Sequence, residues 1–461
     1  MARQTLSTRR RATGACVRHV RVLDVSPDPL AIAQALGGRP GLAVLASHPD
    51  AAPRAADART SFVTCDPVDT SDALVPPCAA LDAAPDGAAP DGGHDPRPLW
   101  IGVVPYEGLR ALERPGWTRQ PDERPQRVMT RPAWRRYAAV VRVDHVTGEV
   151  VAIGDSPGSV EHLARLAGRA RAATAYAPAG LEVHVARDDE DQDRAHLERI
   201  RHALHLIAAG DLYEVNLARR IAVAVKGDAL TLFMSLFAAA PAPWGFLQDL
   251  GEALVIASSP ELALSVRGDR LRTCPIKGTR PRGRDADDDE RLARELEGDS
   301  KEQAELTMAI DVHRNDLGRV AVPGSVRVLG PPRVLGGRTV WSRVAEIEAR
   351  RAAGASLQDV VRAVLPCGSV TGAPKSRAME VIARLEPWRR GLYTGAFGYV
   401  GHGGGLELAV AIRTLQLTRT GVGTWQGSYF AGGGIVADSV PERELEETRW
   451  KAVQLGRLGR P

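Results

Sequence analysis

Five cysteines in 461 residues, odd in number and with no CxxC pair among them, leave no disulfide framework and no thiolate metal or redox site to be read from spacing. Cys16, Cys65, Cys78, Cys274 and Cys367 are expected to be reduced thiols of a cytoplasmic protein. The 11 histidines form no HExxH-like cluster, which leaves zinc without a site. Long apolar runs are missing too, since no stretch approaches the roughly 18 uninterrupted apolar residues of a membrane span. Arg9-Arg10-Arg11 faintly resemble a twin-arginine export signal, but Arg18 and Arg21 interrupt the apolar region such a signal needs. Excess charge of one sign is lacking as well: 60 Lys and Arg against 56 Asp and Glu leave only +4, spread along the chain without a basic arm. Neither nucleic acid nor a membrane is an expected partner.

What is present is apolar material for a sizeable core, 44% of the residues, enough for two ordinary domains or one large one. A polar stretch at 185–194 separates an N-terminal half, 1–184, from a C-terminal half, 190–458. Within the first, the Pro/Ala/Gly/Asp-rich residues 76–98 cannot supply a packed face and read as a surface loop. Two β-branched runs around Thr147-Gly148 predict a hairpin over 138–153. In the second, Leu197, Ile200, Leu204 and Ile207 recur at helical spacing, so 193–209 is expected to be an amphipathic helix stopped by Gly210. Strands are expected at 212–225, 253–266, 270–276, 393–400, 406–418 and 424–429. Helices are expected from Asp285 to about His313, from Ala373 to about Leu385, and after Pro441. Strands outnumber connecting helices, which predicts a mixed α/β (α+β) sandwich and not a doubly wound sheet.

Several motifs carry two readings. Gly154-Asp-Ser-Pro-Gly158 fits the hydrolase pattern G-x-S-x-G, or else a Pro-Gly turn with Ser159 as a helix cap. Gly368-Ser-Val-Thr-Gly372-Ala-Pro-Lys375-Ser376 resembles a nucleotide phosphate loop, but its glycines are one residue too close and Pro374 removes an amide donor. Glu302 with Glu305, and Glu444 with Glu447, each lie at i, i+3 on one helix face. Each pair is a solvated face, or the two helices converge on one hard cation such as Mg²⁺, which takes oxygen ligands. Gly432-Gly433-Gly434, just after strand 424–429, allow either a tight turn or a close backbone approach to a ligand. Arg413 and Lys451 are candidate anion anchors.

Taken together, Gly210–Arg220 (GDLYEVNLARR), Pro275–Gly283 (PIKGTRPRG), Lys301–Val320 (KEQAELTMAIDVHRNDLGRV), Pro366–Glu380 (PCGSVTGAPKSRAME) and Ala431–Lys451 (AGGGIVADSVPERELEETRWK) resemble the chorismate-binding enzymes, in family order over about 190–455. The N-terminal half matches more weakly, through Arg59–Pro67 and Trp100–Glu107. The resemblance implies two interlocked halves forming a β-sandwich flanked by helices, like anthranilate synthase component I. It implies Mg²⁺ held by Glu305 and Glu447 with Glu302 and Glu444 in support. Thr279, Thr371, Tyr399, Arg413, Gly433, Gly434 and Lys451 would surround the substrate, and Glu261 would protonate the departing C4 hydroxyl.

Lys277 in PIKGT is similar to the aminodeoxychorismate synthases, where anthranilate synthases usually read PIAGT. This implies conversion of chorismate and ammonia to 4-amino-4-deoxychorismate on the para-aminobenzoate (folate) route, with ammonia supplied by a separate glutamine amidotransferase subunit. The lysine would add to ring C2 and needs a neutral amine, so its site is expected to lower a pKa of about 10.4. Two residues depart from the family pattern: Glu214 stands where Gln is common, and Glu346 where a histidine is usual. Both are expected to add negative charge near the substrate. Val44-Leu45-Ala46-Ser47 lacks the glutamate of the Leu-Leu-Glu-Ser segment found in tryptophan-inhibited anthranilate synthases, so no tryptophan feedback is expected.

Overall fold

The computed structural model of the chain describes residues 7–9, 18–48, 59–78, 97–113, 124, 129–170, 180–186, 190–338 and 340–458. Two antiparallel sheets lie face to face. The larger runs from Arg18–Val22 through Val150–Gly154, Ala139–Asp144, Thr60–Thr64, Ala43–Ala46, Trp244–Asp249, Ala253–Ser259, Thr414–Gly421 and Thr424–Ile435 to Glu214–Lys226. The smaller runs from Ile347–Arg350 through Arg270–Cys274, Leu262–Arg267, Leu406–Val410, Ala396–Gly401 and Pro98–Val104 to Ala133–Arg136. Their inner faces bury one apolar layer, in which the rings of Phe246 and Phe397 stand 4.7 Å apart, beside Ile101, Val103, Val140 and Val255. Burying such aromatic and β-branched faces is what drives sheet-on-sheet association.

Each sheet takes strands from both ends of the chain. Ala43–Ala46 pairs with Trp244–Asp249 in the larger sheet, and Pro98–Val104 pairs with Ala396–Gly401 in the smaller. The halves therefore interlock, and the outer faces are closed by helices. Ile32, Leu163 and Phe233, from helices Pro29–Ala35, Pro157–Ala167 and Ala229–Ala239, pack on the larger sheet. Val360, Val364 and Leu317, from Leu357–Val364 and Ser300–Gly318, pack on the smaller. The mixed α/β sandwich is the observed architecture.

Three expected strands are broken where the chain changes sheet. The stretch 253–266 divides at Pro260-Glu261 into Ala253–Ser259 of the larger sheet and Leu262–Arg267 of the smaller. The stretch 406–418 divides into Leu406–Val410 and Thr414–Gly421, with Arg413 in the left-handed region at φ 49. After Cys274, Pro275 ends one strand, and Ile276–Pro281 begins a separate three-stranded sheet with Val340–Val344 and Arg333–Gly336. Proline has no amide proton to continue a ladder, so both proline breaks have a local cause.

Other boundaries also move. The helical stretch from Asp285 is two helices, Ala286–Gly298 and Ser300–Gly318, the second capped by Asp299, whose carboxylate accepts from the Glu302 amide. Gly432, Gly433 and Gly434 lie inside the strand Thr424–Ile435 and not after it, because its ladder with Glu214–Lys226 continues through them. The first helix of the C-terminal half spans Glu190–Ala208, with Gly210 closing it at φ 79 while Asp211 N donates to Leu206 O. The 138–153 hairpin is present. Of the 76–98 loop, 79–96 lie outside the described residues, as does Cys16.

Gly154–Gly158 is a strand-to-helix turn in which Ser156, not Ser159, is the cap: its hydroxyl accepts from the Ser159 amide. In the 368–376 segment the lysine is already engaged. Lys375 Nζ is tied down 2.7 Å from Asp316 Oδ2 and 3.2 Å from the carbonyls of Ala363 and Val364.

Candidate active site

A cavity of about 500 Å³ opens between the end of the larger sheet, the three-stranded sheet and two helices. Its floor is the antiparallel pair Glu214–Lys226 and Thr424–Ile435, in which Asn216 stands opposite Gly434 and Ala218 opposite Gly432. Side chains two apart share a face, so Glu214 and Asn216 project together. The glycines keep that floor clear. A Cβ at Gly434 would stand 2.5 Å from Glu214 Oε1, and one at Gly432 2.7 Å from both Asn216 Oδ1 and Tyr393 Oη.

One wall is the strand Ile276–Pro281, which carries Lys277 and Thr279 on either side of a register shift. Gly278 sits at that shift with φ 74, and a Cβ there would meet the Glu302 carboxylate at 3.0 Å and Leu296 Cδ1 at 2.8 Å. Only glycine lets this strand and the helix Ser300–Gly318 approach so closely. That helix presents Glu302 and Glu305 to the cavity, and the helix Pro441–Trp450 presents Glu447, followed by Lys451.

The electrostatics of this wall are unusual. Lys277 is buried, with its ammonium bonded to Glu214 Oε1 and 3.7 Å from Glu305 Oε2. Burial would lower its pKa, but Glu214 and Glu305 outweigh that and hold it above the ordinary lysine value. The expectation that the site lowers the pKa of Lys277 is thus reversed, because Glu214 supplies a negatively charged partner. Burial, then the charges of Glu305 and Glu447, raises Glu302. Burial likewise raises Glu305, with Lys277 opposing.

The far wall is made where the chain crosses between sheets. Glu261, fully buried after Pro260, accepts a 2.6 Å hydrogen bond from Ser369 Oγ, and burial pushes its carboxyl up to about 7. Arg413, at the other crossing, lines the cavity; its carbonyl accepts from Ser258 N at 3.2 Å, and its guanidinium has no hydrogen-bond or ion-pair partner among the described residues. Lys451 Nζ donates to Gly432 O at 2.9 Å and lies 2.6 Å from Glu447. Two cations lining one half-enclosed space can receive a small anion.

The structure brings together Lys277, Glu261, Thr279, Arg413, Gly434, Lys451, Glu302, Glu305 and Glu447. It does not bring in Tyr399, which lines a different cleft of about 360 Å³ with Trp244, Arg267 and Glu407. The cavity's tyrosines are Tyr393 and Tyr429. Tyr399 lies on the strand Ala396–Gly401, and its ring packs on Phe62 from the N-terminal half. Thr371 stands behind the wall, its hydroxyl donating to Cys367 O and its carbonyl accepting from Asn216 N. Gly433 faces the other side of the strand, towards Glu444 and Glu447. Glu444 itself is buried against Lys301, 2.8 Å away. Glu346 does not line the cavity either: Arg272 neutralises it at 2.7 Å, so its charge is spent outside. Asn216, Ser369, Tyr393, Tyr429 and Trp450 line the site without having been singled out in the sequence. Asn216 could have been found, as it is two residues beyond Glu214 in a strand.

The residues expected to hold a divalent cation suit one in kind. Glu444 Oε2 is buried with no hydrogen-bond partner, an expensive state for a carboxylate oxygen. Gly433 leaves its carboxylate and that of Glu447 close together, each within 4 Å of where a Cβ would be. Among the described residues no three acidic or histidine side chains yet close on one point; Lys301, 2.8 Å from Glu444 and 3.6 Å from Glu305, stands among them.

A half-enclosed space in which the Arg413 guanidinium, Lys451 and Lys277 share the lining with clustered carboxylates, set where two sheets of a sandwich exchange strands, defines an enzyme-like pocket for a small anion. The chain belongs to the chorismate binding enzyme family, which it matches over residues 45–456. It is 44% identical over 272 residues to anthranilate synthase component 1 of Thermus thermophilus, covering 58% of each chain. It is 39% identical over 251 residues to aminodeoxychorismate synthase component 1 of Bacillus subtilis, covering 54% of this chain and 52% of that one. The match thus spans little more than half the length of these two relatives. Anthranilate synthase component 1 of Haloferax volcanii aligns more fully, at 35% identity over 95% of this chain and 93% of that one. Among solved structures, anthranilate synthase component I from Streptococcus pneumoniae superposes with a TM-score of 0.69 at 27% identity, covering 86% of this chain and 92% of that one. The isochorismate synthase MenF of Escherichia coli, at 20% identity and a TM-score of 0.69, shares the fold.

Proposed function

We propose that the chain is the large subunit of an aminodeoxychorismate synthase, converting chorismate and ammonia to 4-amino-4-deoxychorismate with Mg²⁺. The observation that supports this most is Lys277, a buried amine on the cavity wall facing the same space as Glu261, Thr279 and Arg413. Arg413, Lys451, Thr279 and the backbone at Gly434 would hold the two substrate carboxylates. Glu305 and Glu447, with Glu302 and Glu444 beside them, would hold Mg²⁺, whose charge would offset a carboxylate that four glutamates otherwise repel.

Glu261, half protonated near neutrality, suits the donation of a proton to the C4 hydroxyl as it leaves. Lys277 first passes its proton to Glu214, to which it is bonded. Its amine then adds to C2 while the ring double bonds shift and the C4–O bond breaks as water. Ammonia adds at C4, the double bonds shift back and the C2–N bond to Lys277 breaks. Ammonia would come from a separate glutamine amidotransferase subunit.

Anthranilate synthase is the second reading, favoured by the 44% identity to the Thermus enzyme. Chorismate, Mg²⁺ and ammonium incubated with the purified chain decide between them by product mass and retention time. The 4-amino compound is expected; anthranilate, or unchanged chorismate, would overturn the proposal.

A further inference from the structure

Asn216 is 7% exposed, lines the cavity, and its Oδ1 has no hydrogen-bond partner. A buried carboxamide with an unmade bond costs stability, and an apolar side chain of similar size would not carry that cost. Its place is built with care. Asn216 N is fixed to Thr371 O at 2.9 Å, and Asn216 O accepts from Arg390 Nη2 at 2.6 Å, so the strand cannot turn to hide the side chain. Gly432 leaves room for both Asn216 Oδ1 and Tyr393 Oη, each 2.7 Å from where a Cβ would be. An amide and a phenol thus face one patch of floor, two residues along the same strand face from Glu214, the partner of Lys277.

Neither Arg413 nor Lys451 bonds Asn216: Lys451 Nζ is taken up by Gly432 O and Glu447, and the Arg413 guanidinium has no hydrogen bond to it. An uncharged amide beside a hydroxyl suits an uncharged hydrogen-bonding group, and a half-turn of the carboxamide lets it accept or donate. Resting on the proposed function, we infer that Asn216 is a further ligand-binding residue, holding a neutral N–H or O–H group of the reactants beside Lys277. Two reactants carry such a group: chorismate, through its ring hydroxyl, and ammonia.

Asn216→Val, with Asn216→Ser as a second variant, separates the possibilities when three quantities are measured: Tm without ligand, Kd for chorismate with Mg²⁺ by calorimetry, and KM for ammonium. The valine variant should keep or raise Tm, because it removes the unmet polar atom, while one binding constant worsens by about tenfold, the scale of a lost buried hydrogen bond. A weaker chorismate Kd assigns the ring hydroxyl; a raised ammonium KM with unchanged chorismate Kd assigns the incoming amine. Both constants within twofold of wild type in both variants, or a Tm loss with unchanged constants, would overturn the inference. Failure of the proposed function is seen separately, as wild-type protein that forms no 4-amino product; Asn216 is then judged on chorismate Kd alone.

Discussion

Lys301 Nζ lies 2.8 Å from Glu444 Oε1 and 3.6 Å from Glu305 Oε1, so an ammonium stands among the carboxylates assigned to the metal. Glu305→Gln or Glu447→Gln should abolish turnover with the fold intact, since each removes a proposed ligand without opening a core cavity. Burial already disfavours the Glu305 charge, so that variant should keep or raise Tm, whereas Glu447→Gln gives up the 2.6 Å pair with Lys451 and should lose a little. Lys301→Met should tighten Mg²⁺ severalfold in calorimetry by removing a competing cation. Full activity in both glutamine variants would sink the metal assignment.

Lys277 is held charged by Glu214 and Glu305. If it is the nucleophile, Lys277→Ala should lose 4-amino-4-deoxychorismate formation and keep chorismate binding, because Arg413 and Lys451 are untouched. Intact-protein mass spectrometry under turnover should show an adduct that maps to Lys277 and vanishes in the variant. Normal rates from Lys277→Ala would end the nucleophile role.

Glu261 has its carboxyl raised by burial to about 7. As the acid, it must be protonated, so kcat/KM should fall as pH rises through about 7. The linkage has the same sign: a carboxyl raised in the folded state contributes stability fully present below its unfolded value and lost as pH rises through the folded one. Glu261→Gln should be nearly inactive, with a Tm that changes less between pH 5 and 8 than that of wild type. A high-pH limb of activity that survives this substitution would assign the acid elsewhere.

Leu45, Ala46 and Ser47 border the second cleft, where the acidic residues are already engaged. Asp144 binds Arg59 and two backbone amides, and Glu407 accepts from Arg267 and Trp244 Nε1. With Ala46 in place of a glutamate, no free carboxylate among the described residues of this cleft is left to meet an amino-acid ammonium. Activity should therefore be indifferent to micromolar tryptophan, and strong inhibition would contradict this.

The described cysteines, Cys65, Cys78, Cys274 and Cys367, are buried and joined by no disulfide. Burial raises the Cys367 thiol well above its ordinary value, the opposite of an activated nucleophile. The isolated chain should use ammonium and not glutamine; glutamine-dependent product in the absence of a second subunit would show otherwise.

Local sequence was enough where the cause is local. Helical spacing with Gly210, the hairpin at Thr147-Gly148 and the i, i+3 glutamate pairs all act within a few residues, and so do the blocks that carry the family resemblance. The strand breaks at Pro260 and Pro275 were legible in principle, because proline cannot extend a ladder. The break at Arg413 was not, for nothing in its neighbours requires a left-handed turn; it follows from the chain leaving one sheet for the other.

Tertiary structure alone decided which residues meet. Tyr393 and Tyr399 are six apart in one segment, yet one enters the cavity and the other the second cleft, because Tyr393 lies in the turn before the strand Ala396–Gly401 and Tyr399 within it. The charge state of Lys277 depends on Glu214, 63 residues away, and on Glu305 from a helix of its own. Periodicity and motif describe a residue's own element, whereas burial, pairing and pKa are set by elements distant in the chain.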